Sequence, residues 1–97
     1  MLSIIFKSPA DILVELGRRA NSARLALGWT RRTLAEKSGV PESTIKRFEY
    51  TGQIGTAALV DIAIALDMFD GFEELFAPKP VQTIAVITAK KRQRGRL

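Results

Sequence analysis

Three consecutive residues near the middle of the chain, Gly39-Val40-Pro41, leave it few local solutions. Gly39 tolerates the positive φ that ends a helix. Pro41 biases Val40 away from helical backbone and fits the first turn of a new helix, so the chain must change direction between two short helices. The flanking residues suit such a corner. Leu34 and Ile45 face a common core, Ala35 is small enough for the helices to approach closely, and Val40 plugs the bend. The same spacing describes any tight helical hairpin, so its use must be read from the surrounding residues.

Neighbouring signals place the other elements. Ser8-Pro9-Ala10-Asp11 predicts a capping box that opens a first helix, with Leu13, Leu16, Ala20, Ala23 and Leu27 as its apolar stripe and Gly28 as its stop. Gly17 within that helix marks either a close approach to another helix or simple tolerance, at a cost of about 1 kcal/mol relative to Ala. Thr30 is expected to cap a second helix from Arg31 to about Ser38, and Pro41 opens a third that runs to about Tyr50. A loop follows, Thr56 caps a fourth helix through Leu66, and Asp70-Gly71-Phe72-Glu73 predicts a capping box for a short fifth helix ending near Phe76. Leu59, Ile62, Ala63 and Leu66 form one stripe on the fourth helix. Beyond the Pro-rich Ala77-Pro78-Lys79-Pro80, the β-branched run 81–88 reads as one strand, paired either with its counterpart in a second subunit or with the apolar start Leu2 to Phe6; the intersubunit pairing is favoured. The expected fold is therefore an all-α, five-helix domain over 8–77. An N-terminal arm covers 1–7, a hinge and strand 78–88, and a basic tail, mobile in the free protein, 89–97.

Charge is sorted along the chain. Gly17–Arg47 carries eight bases against Glu36 and Glu42, Phe48–Ala77 has six acids and no base, and Pro78–Leu97 has six bases and no acid. A polyanion would be drawn to the second and third helices and to the tail but repelled between them, so its binding must be oriented. The chain has no Cys and no His, which removes a thiolate nucleophile, a Cys-based zinc site and the usual general base. Asp67, Asp70, Glu73 and Glu74 cluster at helix ends, where capping accounts for them. We expect neither catalysis, nor a metal, nor a cofactor. No apolar run reaches the roughly 18 residues of a membrane span, and the start lacks a basic flank, so a cytoplasmic, nucleoid-associated location is expected.

Trp29 through Glu49, with Leu34-Ala35, Gly39-Val40 and Ile45 in place, resembles the DNA-binding core of the Cro/CI-type repressors, the XRE family, whose fold is lambda-repressor-like. The resemblance runs from about Asp11 to Phe76. Gly52-Gln53-Ile54, the apolar fourth helix, Asp70 to Phe76, the Pro-rich hinge and the Arg/Lys-rich end are similar to HipB-like antitoxins, which accompany HipA-type kinase toxins. This resemblance implies a homodimer on a palindromic operator that represses its own operon and restrains such a toxin. A solitary phage-type regulator, or an interaction module that has lost DNA binding, remain alternatives.

Carried onto this chain, the resemblance puts the third helix in the major groove with Arg47, Ser43 and Glu42 at base-reading positions. Arg47 suits guanine, Ser43 is permissive, and Glu42 either accepts from a cytosine amino group or is repelled by phosphate. Pro41 departs from the Ser, Thr or Gln common there. Thr30 and Arg31 match phosphate-contacting positions, joined by Thr44, Lys46, Gln53 and Thr56. Arg24 and Glu49 match a structural pair that fastens the third helix to the first. Arg32 and Lys37 read as a solvated face. Trp29 reads as a core wall, and Phe48, Phe69, Phe72 and Phe76 as core or dimer residues. Lys90, Lys91, Arg92, Arg94 and Arg96 in the tail grip phosphate, dock on an acidic partner, or do nothing specific.

Overall fold

The order of elements follows from where the backbone can and cannot stay helical. The computed structural model describes residues 8–79; the arm 1–7, the expected strand over 81–88 and the tail bases Lys90, Lys91, Arg92, Arg94 and Arg96 lie outside the described residues. Five helices occupy the described part: α1 (Pro9–Ala26), α2 (Arg31–Ser38), α3 (Glu42–Thr51), α4 (Thr56–Ala65) and α5 (Asp70–Glu74). Ser8 caps α1 as expected, its Oγ accepting from Asp11 N at 3.1 Å while its own N donates to Asp11 Oδ2 at 3.2 Å. Thr30 Oγ1 accepts from Thr33 N at 3.0 Å and starts α2. Gly39 ends α2 with φ 77°, and Pro41 enters α3 at φ −56° and ψ 143°, which makes the corner that the sequence requires.

Two expected caps differ. Thr56 is the first residue of α4, not its cap, because Gly55 takes the extended conformation and its carbonyl accepts the first helical bond from Leu59 N at 3.0 Å. The capping box at Asp70 is absent as well. Phe69 already has helical φ and ψ, so Asp70 lies inside the single turn of α5, and no side-chain hydrogen bond caps the helix. That turn ends at Glu74, ahead of Phe76.

The core is small and centred on the corner. Leu34, Val40, Ile45, Phe48, Ile62 and Leu66 are buried, with Leu16, Ala20, Ala23, Trp29, Ala35 and Leu59 packed around them. The stripe expected on α1 is narrower than its periodicity suggests, since Leu13 and Leu27 are exposed. What α1 buries is Gly17 and Arg24, both against α3. A Cβ at Gly17 would lie well inside 3.0 Å of the Phe48 carbonyl oxygen and 3.1 Å from its carbon. Gly17 is thus the close approach, and it sets the spacing between α1 and α3. An apolar groove of about 450 Å³ opens between α1, α4 and α5, with Leu16, Ala20, Leu59, Ile62 and Phe72 among its walls. Met68 and Leu75 also line it and are exposed, as are Ile64, Phe69 and Phe76; of the four phenylalanines expected in the core or a dimer contact, Phe48 is buried, Phe72 half-buried, and Phe69 and Phe76 open to solvent.

Candidate nucleic-acid interface

The site is built on the two faces of α3. Positions 45, 48 and 49 point into the fold, whereas Glu42, Ser43, Lys46, Arg47 and Tyr50 recur at helical spacing on the opposite side and are all exposed. Thr44 lies between the two faces. A helix anchored along one stripe and bare along the other can enter a groove without rearranging its scaffold.

The anchoring is electrostatic as well as apolar. Arg24 and Glu49 are 6% and 8% exposed, and Arg24 donates to both Glu49 carboxylate oxygens, from Nε to Oε2 at 2.8 Å and from Nη2 to Oε1 at 3.2 Å. Its remaining donors reach the Trp29 carbonyl at 2.8 Å and Asn21 Oδ1 at 2.7 Å. The guanidinium therefore joins α1, the following turn and the end of α3, and a buried charge pair so fully bonded is tolerable where a half-bonded one would not be.

Arg31 extends this cluster. Its Nε donates to Glu49 Oε1 at 2.8 Å, and its guanidinium lies over the Tyr50 ring, 5.2 Å from the centroid. The hydrogen bond to the Glu49 carboxylate raises its pKa, against a smaller opposing effect of burial. Nothing in the sequence signalled this bond, because residues 31 and 49 belong to different helices with no local pattern joining them. Arg31 still stands at the start of α2, so it is at once a fastener of α3 and a half-exposed cation beside the amides of a helix N-terminus.

Among the other expected contacts, Thr30, Lys46, Gln53 and Thr56 are exposed and Thr44 is half-buried. Arg47 Nη2 donates to Gln53 Oε1 at 2.8 Å, a pairing the sequence reading did not contain. Arg47, Gln53 and Thr44 share a recess of about 500 Å³ with Leu13, Ile54 and Gly55. Arg32 is exposed and lies 4.0 Å from Glu36. Lys37 is more than a solvated charge: its Nζ sits 5.2 Å from the centre of the Trp29 ring, which it covers from outside while Trp29 packs on the core. Among the described residues no group of His, Cys, Asp or Glu could hold a metal ion, and no helix is long and apolar enough to cross a membrane.

This arrangement of α2, a left-handed glycine corner and a one-sided α3 is a helix-turn-helix unit, and residues 22–68 match the family described as helix-turn-helix. Two relatives are similar over most of the chain: uncharacterized HTH-type transcriptional regulators of Rickettsia conorii and Rickettsia prowazekii, each 38% identical over 74 residues. The match covers 70% of this chain and 59% and 57% of those proteins, so the chain spans rather more than half their length.

Proposed function

We propose that the protein is a sequence-specific DNA-binding transcriptional regulator that acts through α3. The observation that carries this reading is the division of α3, in which Ser43, Lys46 and Arg47 are bare while Ile45, Phe48 and Glu49 are locked to the scaffold. Base edges in the major groove ask for donors on a rigid, outward helix face, and phosphates ask for cations and free amides at its margin. Arg47 and Ser43 supply the first, with Glu42 beside them at the helix start. Thr30, Arg31, Thr44, Lys46, Gln53 and Thr56 supply the second. The resemblance to regulators by name in both relatives supports the same reading. Such a protein works in the cytoplasm on the nucleoid and carries out no catalytic step.

Two copies on a palindrome would place their α3 helices in successive major grooves about 34 Å apart. The exposed Ile64, Met68, Phe69, Leu75 and Phe76 support pairing of this kind, since a monomer gains nothing from leaving so much apolar surface in water. The finer assignment, an antitoxin that also restrains a HipA-type kinase, rests on the sequence resemblance of residues 52–76 and the basic tail. Co-purification with a kinase chain encoded beside it tests that role, and absence of such a partner leaves the solitary regulator.

The central test is selection of bound duplexes from a random pool, followed by gel shifts with Arg47→Ala and Arg31→Ala. Loss of base preference in the first and weaker binding to all sequences in the second are expected. If each subunit neutralises four or five phosphates, log K should fall against log salt with a slope of roughly −7 to −9. A slope near zero, or no effect of either substitution, would leave an interaction module instead.

A further inference from the structure

Gln53 lies beyond the end of α3, yet its side chain meets that of Arg47, which is on the helix. Three observations show that the meeting point is fixed. The loop starts at Gly52, which has φ 80° and lies so close to the backbone of Leu13 and Val14 that no Cβ fits, so it is pinned against α1. Thr51 Oγ1 donates to the Arg47 carbonyl at 2.7 Å and accepts from Gln53 N at 3.1 Å, which ties the loop to the turn of α3 that carries Arg47. Gln53 Oε1 then accepts from Arg47 Nη2 at 2.8 Å.

A guanidinium at the end of a long side chain loses rotamer freedom when it docks, and a partner that holds it beforehand reduces that loss. Nη2 carries two hydrogens. One goes to Gln53, and the other, together with Nη1, remains for a pair of parallel acceptors. Guanine presents that pair as O6 and N7 in the major groove.

We propose that Gln53 is a positioning residue that aims Arg47 at guanine, so that the two residues read one G·C pair in each half-site. This rests on the DNA-binding reading and deepens it, because it assigns Gln53 to specificity and not to phosphate alone. Wild type should favour guanine at that pair by roughly 5- to 150-fold, the range equivalent to a bidentate contact worth about 1–3 kcal/mol. Gln53 is exposed, so its replacement leaves the core untouched.

Quantitative gel shifts on the full chain, with the selected duplex and its single-pair variants, test the proposal. Gln53→Ala should reduce the guanine preference roughly three- to tenfold, as the loss of one modest hydrogen bond implies. Arg47→Ala should remove the preference, and the double substitution should discriminate no less than Arg47→Ala alone. Gln53→Glu keeps the acceptor, so it should preserve the preference while weakening every duplex alike through repulsion from phosphate. In the free protein, nitrogen-detected spectra of the arginine side chains should show the Arg47 guanidinium rotating faster in Gln53→Ala. Uniform weakening by Gln53→Ala with the preference intact, or unchanged rotation of the guanidinium, overturns the proposal while leaving DNA binding in place. Failure of wild type to bind any duplex overturns the DNA-binding reading itself, and the proposal with it.

Discussion

Replacing Gly17 by Ala sets two effects of opposite sign against each other. Propensity alone predicts stabilisation, because Gly in the interior of a helix such as α1 costs about 1 kcal/mol relative to Ala. The packing predicts the reverse. A methyl group there meets the Phe48 carbonyl, a backbone atom inside α3 that cannot rotate away, at a separation real Cβ atoms do not show. Relief requires α1 and α3 to part by about 1 Å, and overpacking of that kind costs about 1–3 kcal/mol, with backbone obstacles near the upper end. The net effect is a loss of about 1–2 kcal/mol, or roughly 5–15 °C in the melting temperature of a domain this small. Thermal unfolding followed by circular dichroism reads it directly. Gly71→Ala is the control: α5 leaves open space around Gly71 and its φ is not positive, so propensity acts there unopposed and stability should rise by a few tenths of a kcal/mol. A Gly17→Ala protein as stable as Gly71→Ala would refute the claim that this glycine sets the spacing between α1 and α3.

The buried pair makes a second prediction: Glu49→Gln should cost about 3–5 kcal/mol in urea unfolding, because it leaves Arg24 desolvated without its counter-charge. Thr30→Ala, which removes the cap of α2, should cost about 1 kcal/mol by the same measurement, and an unchanged midpoint would show the cap to be dispensable. The raised pKa of Arg31 means that its contribution is fully present below the ordinary arginine range and is lost only as pH climbs through the still higher folded value. Wild type and Arg31→Gln should therefore differ in stability by the same amount at pH 6 and pH 9; a gap that closes between those values would contradict this assignment.

Local chemistry made most of the helices legible. Ser8 with Asp11, Thr30 and Gly39 act within a few residues of themselves, and each works as the sequence implies; Pro41 turns the chain as expected but from the N-cap, one residue ahead of the first turn of α3. Thr56 and Asp70 show the limit of such reasoning: a side chain caps only from the extended residue just before a helix, a place that Gly55 takes ahead of α4, while ahead of α5 Phe69 is not extended at all. The core residues Leu34, Val40 and Ile45 followed from the corner alone. The pairs 24–49, 31–49 and 47–53 differ in how they could be known. Arg24 with Glu49 was accessible through family resemblance. Arg31 with Glu49, and Arg47 with Gln53, depend on how α2 and the loop after α3 are seated, and no periodicity encodes that.

The structure separates two requirements that a groove-reading helix must meet together. Rigidity comes from the inner stripe of α3, where Ile45 and Phe48 are buried in the core and Glu49 holds two arginines from other elements. Chemistry comes from the outer stripe, where Ser43, Lys46 and Arg47 take no part in the core and are free to vary without a stability cost. Glu49 is the exception that joins the two, because Arg31 binds it from the margin where phosphate would lie. A phosphate drawing on the free side of Arg31 would act on a guanidinium already fixed by Glu49, so backbone contact at α2 and the orientation of α3 are mechanically linked. Substitutions at Ser43 and Arg47 should then change base preference, and those at Lys46 affinity for every sequence, at constant stability, whereas those at Glu49 should change stability and affinity together.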